Sequence, residues 1–428
     1  MIFEIAKKEM RQNLLSYKFS IITILSTVLI LLSIFIMYSD FCLARENHEV
    51  LQKESQKGQG RHYEVIPPTP LGIFAKGLDE NLCRPWEFEA VGVEISSAKQ
   101  KSLNDLFKLF TAPDLLYITK VILSLCAMLF AFDMVSGEKE TGTLRQSLSN
   151  DLKRPILIIG KWIGGFTSFI LPFLVSVLIG TILVTSSPRV EMNPQDWAKL
   201  GLFILSGVVY LAVFFSLGLL ISCLTHRSST SLVISLFVWT ILVFLIPNLG
   251  NILARQFVSV PTVQQLELRR KQIMEKFRPE INELRRIPET RSDYKAHEEA
   301  LIRRIFADSD KLDENYRNRF NSLVKVSQNI TRFSPASAFT FLATDIMGTG
   351  MAEEQRLKRM VQSYKNLIVH LIYDENIDED SIPGFHYGRS SVNEILSQEG
   401  LRNSLVLILL NVLFLTGASV AFLKYDVR

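Results

Sequence analysis

The sequence predicts an all-α polytopic membrane protein with about six transmembrane helices, a large, mainly helical extracytoplasmic domain and a smaller mixed one. Of the 428 residues, 48% are hydrophobic, the mean hydropathy is +0.21, and the hydrophobic residues gather in long uncharged runs. A helix needs about 20 apolar residues to cross the bilayer core, and a spanning segment must satisfy its own backbone hydrogen bonds. The runs are too long and too continuously apolar for the strands of a membrane barrel, so helices remain.

Six runs have this length and composition. The second contains Lys120 near one end, where a lysine can extend its ammonium group to the headgroups. Pro172 and Pro247 interrupt two of the runs and predict packing kinks, with hinges as the alternative. The predicted spans are 19–39, 114–132, 162–185, 198–224, 229–250 and 403–423.

Basic residues indicate the orientation of these spans. The loop from Ser186 to Trp197 holds only Arg189, whereas the loops on the other side are rich in basic residues. The positive-inside rule therefore predicts that both termini are cytoplasmic, as an even number of spans requires. The basic residues on the cytoplasmic side are Lys7, Lys8, Arg11, Lys18, Lys139, Arg145, Lys153, Arg154, Lys161, His226, Arg227, Lys424 and Arg428.

This topology divides the rest of the chain. Apolar stripes at Leu266–Leu284 and Ile305–Leu323 predict an antiparallel helical hairpin. Its charged faces are interpreted as solvated surfaces, with contact to anionic lipid or anionic cargo as the alternative. The predicted segments are a cytoplasmic amphipathic helix at 1–18, extracytoplasmic domain 1 at 40–113, a cytoplasmic region at 133–161, extracytoplasmic helical domain 2 at 251–401 and a cytoplasmic tail at 424–428.

Four shorter stretches also carry local signals. Phe333–Met347 is apolar but too short to span, and Ser334 followed by proline marks a helix start. We expect this helix to lie in the outer membrane interface or to pack on the bundle. A further helix is predicted from about Glu354 to Tyr373, and Leu71–Lys76 and Val91–Ile95 are predicted as short strands.

Composition argues against several kinds of site. The net charge is only +4, which gives no general basic surface for nucleic acid. No cysteine pair has zinc-site spacing, and the acidic tract Asp374–Asp380 lacks EF-hand spacing, so no metal site is predicted. Cys126 and Cys223 lie in apolar runs as packing residues. Cys42 and Cys83 share a polar segment and are a candidate disulfide if that segment faces an oxidising compartment.

One stretch between the second and third spans is distinctive. Asp133–Ser149 reads DMVSGEKETGTLRQSLS, and Lys153-Arg154-Pro155 and Ile159-Gly160-Lys161 follow. It resembles the type-2 ABC exporter permeases, particularly the branch containing the nitrous-oxide-reductase maturation permease. Those proteins carry a similar F-D-x-x-S-G-E-[KR]-E-x-G-T-L stretch, a basic pair and a G-K entering the next helix. The resemblance extends to the amphipathic N-terminus, which is like the family's interfacial elbow helix, to Ser334–Gly350 and to the C-terminus Leu423–Arg428, whereas 40–113 has no counterpart.

In that family this stretch is a coupling helix that inserts into a cleft of a separate ATPase subunit. The resemblance implies that ATP and Mg are bound by that partner, that a second permease completes the transporter as a homodimer or related chain, and that the complex lies in a bacterial inner membrane. The chain has no G-x-x-x-x-G-K-[ST] loop, and no catalytic residue is assigned. The implied ATPase contacts are Ser136, Gly137, Glu138, Glu140, Thr141, Gly142, Thr143 and Leu144.

The residues themselves fit a short docking helix. Ser136 is predicted to cap its start, and Glu138 and Glu140 in its first turn favour the helix dipole. Gly142 permits a close turn, and Leu144 with Leu148 is predicted to form an apolar edge for docking.

The predicted function is therefore a permease that couples ATP hydrolysis by its partner to cargo movement, or to mechanical signalling to a periplasmic protein. A membrane-embedded enzyme would need paired polar groups at membrane depth, and the spans hold almost none beyond Lys120. A scaffold or sensor remains the alternative; it accounts for the outside domains but not for the docking helix.

Overall fold

The computed structural model describes residues 2–55, 62–64, 66–83, 86–89, 92–95, 113–144, 154–286, 294–373, 384–395 and 400–424. Within these residues, six helical segments are long and apolar enough to cross a membrane, which confirms the predicted fold class. They are span 1 (Tyr17–Lys53), span 2 (Leu115–Thr141), span 3 (Arg154–Thr185), span 4 (Pro194–Leu224), span 5 (Ser228–Phe257) and span 6 (Leu401–Leu423).

The helices number more than the spans, because two spans are interrupted and further helices lie outside them. Single helical turns also occur at Leu115–Tyr117 and Val392–Ile395. The main helices are α1 (Ile2–Leu14), α2 (Tyr17–Ser55), α3 (Asp79–Leu82), α4 (Ser124–Ala131), α5 (Ser136–Thr141), α6 (Arg154–Thr185), α7 (Pro194–Leu224), α8 (Ser228–Thr240), α9 (Ile246–Phe257), α10 (Val263–Leu284), α11 (Tyr294–Thr331), α12 (Pro335–Met347), α13 (Met351–Tyr373) and α14 (Leu401–Leu423).

The first helix of the bundle is longer than the predicted span. Helix α2 continues to Ser55, well beyond the predicted end at residue 39, so domain 1 begins inside a helix. The physical reason is local: no glycine or proline occurs between Tyr17 and Ser55, and polar residues alone do not end a helix.

Two π-helical turns, Ile118–Leu123 in span 2 and Ile241–Leu245 in span 5, interrupt the regular hydrogen bonding. The hydroxyl of Tyr210 donates to the carbonyl oxygen of Lys120 at 2.7 Å, and the hydroxyl of Ser334 donates to the carbonyl of Leu242. Neighbouring helices therefore supply hydrogen bonds to backbone groups inside the bundle, where no water replaces them. Pro247 follows the second π turn directly, at the start of α9.

Spans 2, 3 and 4 form the centre of the bundle, and spans 1, 5 and 6 expose most of their surface. Tyr210 and Phe214 of span 4 are fully buried, and the ring of Phe339 in α12 stacks on Tyr210 with centroids 4.4 Å apart. Helix α12 is thus packed on the bundle, one of its two predicted positions. As predicted, Ser334 caps its start, accepting hydrogen bonds from the backbone N–H groups of Ala336 and Ser337.

Helices α10 and α11 form the predicted hairpin, and the segment predicted to join them, 287–293, lies outside the described residues. Phe277 is buried between them. Three ion pairs tie the helices together, and their residue numbers rise in one helix as they fall in the other, as in an antiparallel pair. These are Arg270–Asp313 at 2.9 Å, Lys276–Asp308 at 2.7 Å and Arg304–Glu280 at 2.7 Å. Part of the charged surface therefore serves the hairpin itself.

The small mixed region contains an antiparallel sheet of three strands in the order β1 (His62–Glu64), β2 (Trp86–Glu89) and β3 (Gly92–Ile95). The predicted strand ending at Ile95 is found as β3. The predicted strand Leu71–Lys76 is wrong, because Pro70–Ile73 forms a 3₁₀ turn. Proline presets the backbone angle of such a turn.

A largely buried arginine, Arg389, joins this region to later segments of the chain. The guanidinium of Arg389 donates to the carbonyl oxygens of Gly348 and Pro67 and to Asp79 Oδ1, each at 3.0 Å. Burial raises the pKa of the Asp79 carboxyl, although Arg389 opposes this effect. Breaking such a buried pair is costly, so Arg389 holds three chain segments together.

The two cysteines of the candidate disulfide are both free thiols in this structure. Cys42 lies in α2 and Cys83 at the end of α3, and each is half-buried. Burial raises the pKa of the Cys83 thiol. The bond is not formed here, and the pairing stays a prediction.

Candidate functional site

The stretch that carries the family resemblance lies at one end of the bundle, which we call the terminal end. It contains α1, α5 and the last turn of span 6. The side chain of Arg154, at the start of span 3, donates to the carbonyl oxygen of Leu423 at 2.7 Å, which places the beginning of one span beside the end of another.

The start of α5 is held by span 4. The backbone N–H groups of Val135 and Ser136 both donate to the hydroxyl oxygen of Ser222 at 3.0 Å. The first N–H groups of a helix have no partner within it, so Ser222 satisfies them from another helix. The prediction that Ser136 caps α5 is wrong: its hydroxyl donates to the carbonyl of Phe132 at 2.9 Å instead.

Two charged side chains of α5 then join span 4 to span 5. The ammonium of Lys139 donates to the carbonyl oxygens of Cys223 and, at 2.9 Å, Thr225, at the C-terminal end of span 4. The carboxylate of Glu140 accepts the backbone N–H of Ser228 at 3.1 Å, at the N-terminal end of span 5. Each charge has the sign that the adjacent helix dipole favours. Helix α5 therefore connects spans 4 and 5 at their junction through these hydrogen bonds.

A buried ion triad connects α5 to span 3 and to α1. The ammonium of Lys161 lies 2.8 Å from Glu138 Oε1 and 2.6 Å from Glu9 Oε1, and its side chain is only 3% exposed. The second oxygen of Glu138 is buried and has no hydrogen-bond partner among the described residues. Two carboxylates thus share one ammonium, and removal of that ammonium would leave both without their cation.

Two glycines of span 3 bring α1 close enough for this triad. A Cβ atom on Gly160 would lie 2.8 Å from Ile5 Cγ2, and one on Gly164 would lie 2.4 Å from the carbonyl oxygen of Ala6. Both distances are too short for real contacts, so α1 crosses span 3 where side chains are absent. The spacing of Gly160 and Gly164 is a small-xxx-small pattern, which was the available sequence signal for this contact.

The residues implied as ATPase contacts divide into two groups. Leu144 is 1% exposed and belongs to the core of this chain, so the predicted apolar docking edge is wrong at that position, and Leu148 lies outside the described residues. Ser136 is buried, Gly137 is half-buried, and Glu138 points to Lys161. The exposed group is Glu140, Thr141, Gly142 and Thr143.

Gly142 ends α5 in a left-handed conformation, with φ of +76°. Side-chain-bearing residues rarely adopt this angle, so the glycine fixes the turn that presents the exposed group. Among the described residues, no three His, Cys, Asp or Glu side chains come together as a metal site.

Comparison with known proteins gives one family match. The family model described as ABC-2 family transporter protein matches residues 3–427. A comparison with curated protein sequences gives no match. The family match does not distinguish the nitrous-oxide-reductase branch from others. It implies a membrane permease that works with an ABC ATPase subunit, and because it covers nearly the whole sequence, this chain belongs to the ABC-2 transporter family.

Proposed function

We propose that the chain is the permease subunit of an ATP-driven exporter in a bacterial inner membrane, with both termini cytoplasmic, and that α5 receives the motion of the ATPase subunit. The observation that carries this proposal is the set of polar contacts that α5 makes with the neighbouring spans. Helix α5 has polar contacts to spans 3, 4 and 5, so a force on α5 reaches all three.

The exposed group from Glu140 to Thr143 supplies the docking surface. These four residues project from the terminal end, whereas Leu144 anchors the segment in the core. A short exposed segment that is held at both of its ends transmits a force from a bound subunit better than a mobile loop does. ATP and Mg belong to the partner subunit in this proposal, and a second permease completes the transporter.

The inward contacts supply the transmission. Lys139 and Glu140 hold the junction of spans 4 and 5, and Glu138 holds span 3 through Lys161. Lys18, at the start of span 1, also pairs with Asp133 immediately before α5. Motion of α5 would therefore displace several spans as rigid bodies, which is a common form of conformational switching.

Span 5 extends this transmission to the opposite end. Its 30 residues correspond to a length of about 45 Å at the usual helical rise. Near its far end, a Cβ on Gly250 would lie 1.9 Å from Thr331 Cγ2 and 3.3 Å from the carbonyl of Ser327, so span 5 and α11 are in close contact. This continuity supports signalling to a periplasmic partner through the hairpin, in addition to cargo movement.

A scaffold or sensor is the second candidate, favoured by the size of the outside hairpin. Thr143→Arg separates the two candidates, because it alters the exposed tip without touching the buried triad. We expect at least tenfold less co-purified ATPase subunit with Thr143→Arg and an unchanged amount with the control Gln264→Arg on exposed α10. Wild-type association and transport in Thr143→Arg would contradict the docking assignment.

A further inference from the structure

Lys199 is a buried lysine near the beginning of span 4, at the end of the bundle opposite the terminal end. It is only 3% exposed. No hydrogen bond or ion pair is found for its ammonium among the residues that the structure describes. A lysine is rarely buried without a partner, because its charge then loses water and gains nothing in return. The ammonium of Lys199 therefore has three donors for which the described chain supplies no acceptor.

The carboxylates near Lys199 are hydrogen-bonded to other groups. Of the described carboxylates, Asp196 and Glu353 lie near enough to attract the ammonium. Glu353, in the first turn of α13, is itself buried and accepts hydrogen bonds from the hydroxyl of Tyr387 at 2.5 Å and from the backbone N–H of Ser390 at 3.2 Å. The hydroxyl of Ser390 donates to it as well. Asp196 accepts the backbone N–H of the residue that caps span 4, at 3.0 Å. Both carboxylates thus serve local structure.

Arg356 is a second cation near Lys199, and part of its guanidinium is unused. All of its described contacts are made by Nη1, which lies 3.3 Å from Glu394 and 3.9 Å from Glu353, whereas no partner of Nε or Nη2 is found in the described part of the chain. The turn Val392–Ile395 that carries Glu394 contacts span 4, which brings this guanidinium towards Lys199. The side chain of Arg356 is 30% exposed, so this cation is open to solvent, whereas the lysine is not.

Arg389 is the other guanidinium near Lys199, and its hydrogen bonds to Asp79 and two carbonyl oxygens already hold it. Lys199 and Arg356 remain as two cations with unused donors, supplied by different helices. We infer that these two side chains bind a phosphate group between them. The tetrahedral oxygens of a phosphate accept from cations that approach from different directions, whereas a planar carboxylate fits a single guanidinium fork. The phosphate belongs to a soluble anion or to a phospholipid headgroup, and the assignment does not depend on the proposed function.

The experiment uses the full-length permease, purified in detergent without its ATPase subunit. Inorganic phosphate, acetate or the water-soluble lipid dihexanoyl phosphatidylglycerol is titrated in at constant ionic strength. Affinity is measured by calorimetry, and the melting temperature is recorded with and without ligand. Lys199→Met removes the buried ammonium and Arg356→Gln the partly exposed guanidinium. The matched control is Arg359→Gln, which removes the same charge from an exposed position of α13 one turn away.

We expect Lys199→Met and Arg356→Gln each to weaken phosphate binding by at least about tenfold, because each variant removes a hydrogen bond to a charged group. Arg359→Gln should bind as the wild type does. Without ligand, Lys199→Met should melt at a higher temperature than the wild type, because a buried charge without a partner has been removed. Binding of inorganic phosphate assigns the group to a soluble anion, and binding of the phospholipid alone, with the same dependence on Lys199, assigns it to a headgroup.

Four results would overturn the inference. The first is a wild-type protein that binds neither inorganic phosphate nor the phospholipid. The second is an affinity of Lys199→Met within about twofold of the wild-type value, since loss of a charged contact costs more than that. The third is acetate that binds as tightly as phosphate. The fourth is a lower melting temperature of Lys199→Met without ligand, because the ammonium would then have a structural partner.

Discussion

Replacement of Lys161 by methionine should destabilise the protein and weaken coupling to the ATPase. The lysine is 3% exposed, and its ion-pair partners Glu9 and Glu138 are 13% and 29% exposed. Removing one member of a buried ion pair costs about 3–5 kcal/mol, because the remaining charge is left without compensation. Here two carboxylates are left, so we expect a loss near the upper end of that range.

The control is the neutral triple variant Lys161→Met/Glu9→Gln/Glu138→Gln. Apolar or neutral replacement of a whole buried ionic cluster is often nearly neutral, so we expect recovery to within about 1 kcal/mol of wild type. The free energy of unfolding is measured by denaturant titration in mixed micelles. In parallel, ATP hydrolysis and transport are measured in vesicles with the ATPase subunit.

Stability and coupling should separate in this series. The triple variant regains stability but lacks the ionic connection between α1, span 3 and α5, so its transport per ATP should stay below wild type. A loss of less than about 1 kcal/mol in Lys161→Met, or a triple variant no more stable than the single one, would refute the assignment of a buried triad.

Three further predictions concern packing, pH and redox state. Gly164→Ala places a Cβ 2.4 Å from a carbonyl oxygen of α1 and should free α1 to proteolysis, whereas Gly201→Ala, with nothing within 4 Å, should not. Burial raises the pKa of Asp114 to about 6 from 3.8, so the folded state retains a proton that the unfolded state has lost. The wild-type free energy of unfolding should therefore fall by about 3 kcal/mol as pH rises from about 4 to about 6, and Asp114→Asn should remove this slope; an unchanged slope would contradict the burial argument. If Cys42 and Cys83 are bridged in the cell, a membrane-impermeant thiol reagent should label them only after reduction, and labelling of both without reductant would exclude the bond.

The sequence was sufficient for the elements that depend on local composition. Six apolar runs predicted six spans, because a helix of fixed rise must match the thickness of the bilayer. Apolar stripes predicted the α10–α11 hairpin, and the Ser334-Pro335 signal predicted the start of α12. The motif at Asp133–Ser149 was also enough to indicate which segment resembles a coupling helix, because a short motif carries its own turn and charge.

The tertiary structure decided how that segment is used. Glu138 faces a lysine 23 positions away in the chain, and the start of α5 is capped by Ser222 rather than by Ser136. Leu144 is buried in the core, although its local pattern resembled a docking edge. Helical periodicity gives the spacing of side chains along one element, but it does not say which other element covers each face. The sequence alone determined which apolar runs form spanning helices, although α2 continues past its predicted end. Only packing decided which charges meet, because those partners come from separate elements whose arrangement depends on close contacts such as α1 at Gly164.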